Sequence, residues 1–481
     1  MKRLASSRYA LSFCVITLVL TGCGGAQVGS QRSSSALLSS AGGSASQYLS
    51  HVIVIIQENR SFENFFAGYP GANAPVSGCA VPAPGQRATP AGRRGVGGER
   101  SKTAYGCPPH DVMVPLRPVT FETNSDLNHN WHSSIIDWHH GGMDGFSKRK
   151  DGKSRGYPAY EYVEHSQIAP YWTIAEQYVL ADAMFPTEFG GSFTAHLTLV
   201  AGTDDIELPG EAEVDFPNAA PDDCDSPPGT KSSYLTQNRK EHFYKGPFPC
   251  FDQFNTIAQV LDSAGISWQI YASKIIDAGF WEPFEAIKYV RYGQDWSKDI
   301  IAPQTRVLLD AGNGHLASVD WVTPSKQDSD HPADLSDTGP SWVASVVNAI
   351  GESAYWPSSA IVILWDDWGG FYDNAPPPQL DYRGLGIRVP CLIISPYAKK
   401  KYVSHVQYEY GSILRFIEEV YGIPPGSIGP TVEGYTDERA TSLDDAFDFT
   451  QKPRQFVPIP SKYPTSYFLH EPPSNEPVDT E

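Results

Sequence analysis

The sequence predicts an α/β protein with a largely parallel central sheet covered on both faces. Two observations carry this. The apolar runs are continuous rather than alternating, as strands buried on both faces require. Segments of helical periodicity separate them, so the strands are joined by crossovers. The 481 residues, 41% hydrophobic and 12% aromatic, can bury a large core in one domain with long loops.

The elements follow in order. "HVIVII" (51–56) and "YVLADAM" (178–184) read as strands. "FDQFNTIAQVLDSAG" puts Phe254, Ile257, Ala258 and Leu261 on one helical face and stops at Gly265. "SWQIYA" (267–272) follows as a strand. "SWVASVVNAIG" spaces Trp342, Val343, Val346, Val347 and Ile350 helically and leads into the strand "AIVILW" (360–365). "RVPCLIIS" (388–395) is a further strand. "SILRFIEEVYG" aligns Ile413, Phe416, Ile417 and Val420 before Gly422. The stretches 68–112 and 205–250 read as irregular insertions, consistent with 42 Gly and 40 Pro in the chain. The tail, 451–481, is Pro-rich and is expected to wrap the surface or fray.

Net charge is −19, which argues against nucleic-acid binding and against docking on anionic lipid by charge. Lys2, Arg3 and Arg8 precede a short apolar run, Ala10 to Leu20, too short to span a bilayer. This reads as a signal peptide. It ends in Leu20-Thr21-Gly22-Cys23, similar to a bacterial lipobox, so residues 1–23 form a lipoprotein signal with Cys23 the lipidated residue. Gly24 after the Cys favours the outer membrane, facing periplasm or cell surface; secretion is the alternative. Residues 24–48 form a flexible tether, and 49–450 the main domain. Of seven Cys, Cys14 and Cys23 belong to the signal. Cys79, Cys107, Cys224 and Cys250 lie in loop-like stretches and make two disulfides in an oxidising compartment. Sequence proximity suggests Cys79–Cys107 and Cys224–Cys250 among three possible pairings. Cys391 reads as a buried thiol.

Two apolar runs end in polar clusters: Glu58-Asn59 after "HVIVIIQ", and Asp366-Asp367 after "AIVILW". Ligands of open parallel sheets bind beyond the carboxyl ends of the strands. Adjacent carboxylates at such an end repel unless a cation compensates. Together with the Asn59 amide they offer a hard, oxygen-rich metal site; each cluster alone reads as capping or turn residues.

Several ordered blocks are spread over most of 51–450: "QENRSFENFF", "DLNHNWHSSIIDWHHGGMDGF", "SDHPADLSDTGPSW", "ILWDDWGGFYDNAPPP", "LGIRVPCLIISPYAK", "SILRFIEEVYG" and "DDAFDF". Together they resemble the bacterial phosphoesterase family that contains the haemolytic and non-haemolytic phospholipases C and a group of acid phosphatases. The resemblance implies a three-layer α/β/α fold of the alkaline-phosphatase-like kind. It implies one divalent metal held by Glu58, Asn59, Ser192, Asp366 and Asp367, with Ser192 as nucleophile and Thr194 and Thr187 as runners-up. Oxygen ligands suit calcium, magnesium or manganese; nearby His would permit zinc or iron. His129 and His331 match family histidines around the phosphate, with Asp126 and Asp330 placed to orient them. Arg60 binds phosphate or supports the structure, for instance by pairing with Glu63.

The chain departs from the family pattern in three places. Thr194-Ala195-His196 stand where Pro-Asn-Arg is usual, Asn374 follows Asp373 in place of His, and Tyr410 occupies a common His position. The expected activity is hydrolysis of a phosphate ester through a Ser phosphoenzyme, on phosphodiesters in the manner of a phospholipase C or on monoesters in the manner of an acid phosphatase. The rival reading is a surface lipoprotein that keeps the fold only to bind. Oligomeric state is open.

Overall fold

The computed structural model describes residues 44–82, 107, 110–123, 126–149, 157–206, 212–276, 278–333 and 336–472. The signal segment with Cys14 and Cys23, and the tether up to residue 43, lie outside the described residues.

Among the described residues the central sheet has nine strands. They are β1 (His51–Gln57), β2 (Val179–Phe185), β3 (Trp268–Tyr271), β4 (Ile300–Ile301), β5 (Val319–Val322), β6 (Ser359–Trp365), β7 (Val389–Ile394), β8 (Tyr402–Ser404) and β9 (Tyr408–Glu409). Their spatial order is β4-β3-β5-β1-β6-β7-β2-β8, with β9 also pairing with β2. Every pairing is parallel except those of β7, which runs against both β6 and β2. β7 therefore points opposite to all its companions. Its apolar run is as continuous as theirs, so the sequence does not show its direction.

The main helices are α1 (Phe62–Phe66), α2 (Trp131–Trp138), α3 (Ala169–Gln177), α4 (Ser192–Ala201), α5 (Ile257–Ala264), α6 (Arg306–Asn313), α7 (Gly339–Gly351), α8 (Tyr410–Val420) and α9 (Thr465–His470). α3, α6 and α9 pack with α7, while α4 packs with α5 and α8. These two groups make the outer layers of an α/β/α architecture. Every residue of β6 is buried, as a strand between two helical layers must be. The five aliphatics Val52 to Ile56 of β1 are fully buried, worth roughly 1.5–3 kcal/mol each relative to exposure.

Two expectations are revised, and one strand is added. The stretch 205–250 is not irregular: Ala212–Pro217, Ser232–Thr236 and Glu241–His242 form a three-stranded antiparallel sheet. Its first strand, "AEVDFP", alternates apolar and polar residues but has no continuous apolar run, and Glu213 and Asp215 are buried along with Ala212 and Val214. The strand "VDWV" of β5 was hidden by the buried Asp320, whose Oδ1 accepts a hydrogen bond from Ala317 N at 3.1 Å. The tether ends earlier than residue 48, because Ala45 and Leu49 are buried and Tyr48 stacks on Phe449. Of the two alternatives for the tail, its described part wraps the domain. Asn348 holds both backbone groups of Ile459, and Phe468 packs edge-on against Trp342. Both disulfides pair sequence neighbours, Cys79–Cys107 and Cys224–Cys250, and Cys391 is a buried thiol.

Candidate functional site

β1 and β6 are adjacent and parallel, with Gln57 opposite Trp365. Their carboxyl ends therefore bring Glu58-Asn59 and Asp366-Asp367 together, although about 300 residues separate them in the chain. The backbone locks them. Asp366 N donates to the Gln57 carbonyl at 2.9 Å, and Asn59 N donates to Asp366 Oδ1 at 2.8 Å. Asn59 has φ +63°, a left-handed turn that Asn tolerates better than most residues and that ends the strand. Gly369, at φ +59°, lets the following loop pass so close that a Cβ there would lie 2.0 Å from the Asn59 carbonyl oxygen.

The third element is α4. Gly191 is its N-cap and Ser192 its first residue, so the hydroxyl sits at the positive end of the helix. Ser192 Oγ donates to Asp367 Oδ2 at 3.3 Å, and Asp367 Oδ1 accepts from Gly369 N at 2.7 Å. One turn on, His196 Nε2 lies 3.0 Å from Glu58 Oε1 and 3.8 Å from Asp366 Oδ2. Glu58, Asn59, Ser192, His196, Asp366 and Asp367 are all fully buried. Burial pushes the His196 imidazole down to about 4. Asn59 Oδ1 and Asp366 Oδ2 have no hydrogen-bond partner. Buried oxygens in that state match a cation site, and Glu58, His196 and Asp366 are close enough to share an ion. Another buried cluster, Glu188, Asp204 and Glu213, carries a cation from the chain itself, since Arg383 pairs with Asp204 at 3.0 Å.

His129 and His331 stand beside this centre with ring centroids 6.3 Å apart. His129 Nδ1 meets the Leu127 carbonyl at 2.6 Å, so its Nε2 accepts from Asn59 Nδ2 at 2.6 Å. That arrangement aims the Asn59 amide. Asp126 does not orient His129; it is exposed, and the Leu127 carbonyl takes the place expected for it. His331 Nδ1 faces the Pro332 carbonyl at 2.7 Å. The Asp330 carboxylate is turned away from His331: its Oδ2 accepts from Tyr171 Oη at 2.6 Å and Trp365 Nε1 at 3.1 Å. Burial pushes Asp330 up to about 7. Arg60 is buried and supports the loop rather than pairing with Glu63. Its Nε donates to the Asp330 carbonyl at 2.7 Å, its Nη1 to Asn64 Oδ1 at 3.2 Å, and its guanidinium lies over Phe121 at 5.0 Å.

Two residues noted only as departures prove central. His196 faces the carboxylates, and its four-residue spacing from Ser192 was the available signal. Tyr410 Oη donates to the Trp365 carbonyl at 2.8 Å and also contacts the Asp366 carbonyl, bracing the end of β6. Asn374 lies further off, joined to Asn73 and Arg388. A cavity of about 230 Å³ is lined by Phe193, the residue after Ser192 in the chain, with Phe216, Asn218, Asp222, Tyr244 and Phe280. Phe193 adjoins Ser192, and Phe280 adjoins Trp281, whose ring is 6.3 Å from His331.

Fold and site together define an α/β protein that gathers carboxylates, an amide, an imidazole and a helix-borne hydroxyl at the ends of parallel strands. The chain belongs to the Phosphoesterase family, a family of phosphoric ester hydrolases, whose profile matches residues 49–424. The non-hemolytic phospholipase C of Pseudomonas aeruginosa is 25% identical over 425 residues, covering 79% of this chain and 55% of that protein. Phospholipase C A of Mycobacterium tuberculosis is 23% identical over 457 residues, covering 85% of this chain and 79% of its own length. Non-specific phospholipase C4 of Arabidopsis thaliana is 23% identical, covering 79% and 69%. A solved protein of the alkaline phosphatase superfamily from Vibrio parahaemolyticus shares 13% identity with a TM-score of 0.34, over 57% of this chain and 67% of that one.

Proposed function

We propose that the chain is a metal-dependent phosphodiesterase of the phospholipase C kind, working through a Ser192 phosphoenzyme. The observation that carries this is Ser192, at the N-terminus of α4, hydrogen-bonded to Asp367 beside the buried Glu58–Asp366 pair. Glu58, Asn59, Ser192, Asp366 and Asp367 would hold one divalent ion, which lowers the pKa of a hydroxyl and offsets its repulsion from phosphate. Ser192 Oγ attacks phosphorus as its proton passes towards Asp367 Oδ2. The amides at the start of α4 stabilise the phosphoryl oxygens. His331, whose Nδ1 meets the Pro332 carbonyl, would act as an imidazolium that gives its Nε2 proton to the departing alcohol. Water then cleaves the phosphoserine.

The cavity that Phe193 lines supports a diester, because Phe193, Phe216, Tyr244 and Phe280 offer apolar wall to the organic group of an ester. Action on monoesters, as in an acid phosphatase, is the second reading. From the sequence alone we infer export and lipid anchoring through Cys23. Turnover of p-nitrophenylphosphorylcholine and p-nitrophenyl phosphate separates the two substrate classes, the diester being preferred. Ser192→Ala is expected to abolish both turnover and trapping of a phosphoenzyme. Near-full activity in that variant overturns the assignment.

A further inference from the structure

Position 196 holds histidine where the family pattern has arginine. An arginine can compensate carboxylate charge but does not ligate a metal; an imidazole does. Ser192 and His196 are four residues apart on α4, hence on one face and one turn apart. The nucleophilic hydroxyl and the imidazole are thus carried by the same helix surface. His196 Nε2 is 3.0 Å from Glu58 Oε1 and 3.8 Å from Asp366 Oδ2. Donor atoms bound to one ion at roughly 2.0–2.2 Å stand about 3.0–3.8 Å apart, for angles from a right angle to about 130°. Both separations fall in that range. A hydrogen bond to Glu58 alone accounts for the first distance only. It leaves Asp366 Oδ2 buried with no hydrogen bond, 3.8 Å from the same nitrogen. One ion among the three atoms gives every one of them a partner.

We infer that His196 is a nitrogen ligand of the ion held with Glu58 and Asp366, so that the centre is a mixed imidazole–carboxylate site selecting zinc or iron(II) over calcium and magnesium. This rests on the metal-dependent reading proposed above. Three elements supply the three donors: the end of β1, the first turns of α4 and the end of β6. Binding therefore ties the nucleophile's helix to the sheet, and imidazole shifts the preference away from the hard cations that an all-oxygen site takes.

The test begins with metal-stripped full-length protein offered equimolar calcium, magnesium, manganese, zinc and iron(II) without oxygen, with bound metal measured by mass spectrometry. The wild type is expected to take up zinc or iron(II) at this centre and to keep it against excess calcium. His196→Gln is expected to lose zinc affinity by at least about 10–100-fold, the scale seen even for groups one step removed from a metal. Glutamine keeps an N–H that can reach Glu58, so a merely positioning histidine predicts unchanged zinc affinity. Pulsed EPR of the copper(II)-loaded wild type is expected to show an imidazole nitrogen coupling that His196→Gln removes and that His331→Asn retains. Calcium preference with no imidazole coupling in the wild type overturns the inference while leaving a metal centre. So does a coupling that survives in His196→Gln. A wild type that binds no ion overturns the metal-dependent reading itself. If His196→Gln does not fold by circular dichroism, the wild-type measurements still decide.

Discussion

Replacing Tyr410 with phenylalanine removes one hydroxyl and leaves the ring in place. In the native chain that hydroxyl is fully buried and meets the carbonyls of Trp365 and Asp366, the last residue of β6 and the first of the carboxylate pair. Its phenol is held protonated: burial raises its pKa well above the ordinary value, and the charges of Asp366, Asp367 and Glu58 add to that. The variant leaves buried acceptors without their donor, at a cost of about 1–3 kcal/mol. With an unfolding entropy of about 2.1 cal/mol/K per residue over the roughly 390 described residues, that loss lowers Tm by only about 1–4 °C. The larger effect falls on the site, because Asp366 loses the brace on its backbone. Groups that orient metal ligands change metal affinity by roughly 10–100-fold when removed. Isothermal titration of the stripped protein and kcat/KM measured with saturating metal check both effects. Unchanged metal affinity with a lowered Tm would refute the reasoning, since the strand pairing through Gln57 would then suffice to place Asp366.

Other outcomes follow from the same geometry. Gly369→Ala puts a Cβ 2.0 Å from the Asn59 carbonyl and strains a left-handed residue, so about 1–3 kcal/mol of stability and at least about tenfold of activity are lost. Thermal melts and metal stoichiometry read this, and a variant with native values would show that the loop yields freely. The tail is expected to loosen as pH rises. Glu471 is pushed up to about 8, first by burial and then by Asp328, so its protonated form is the one that suits the fold. A carboxyl raised in this way contributes stability fully below its unfolded pKa near 4.5 and loses it as pH passes through about 8. Amide exchange in Thr465–His470, corrected for its intrinsic pH dependence, is expected to accelerate progressively from about pH 4.5 to about 8 and to level off above that in the wild type, and not to do so in Glu471→Gln. A pH-independent tail would show that Phe468 alone holds it.

The sequence by itself determined strands β1, β2, β3, β6 and β7 and helices α5, α7 and α8 of the layered core. Runs such as "HVIVII" and "AIVILW" are long, continuous and apolar, and only burial on both faces accommodates them. It also determined the polar ends of those runs, because Glu58 and Asp366-Asp367 follow without a break. The family blocks added Ser192, His129 and His331 as candidates. Tertiary structure alone decided what those residues touch. That β1 lies beside β6 is a pairing across about 300 residues, and no local pattern encodes it. That β7 runs backwards, and that Glu213 and Asp320 sit buried in strands, also depended on neighbours distant in sequence. His129 turned to the Leu127 carbonyl and Asp330 to Tyr171 and Trp365 because hydrogen-bond partners are chosen by position in space. His196 and Tyr410 looked like local departures from a pattern. Folding placed His196 against the carboxylates and Tyr410 against the backbone that carries them, since a helix face and a strand end acquire chemical meaning only when packing sets them a few ångströms apart.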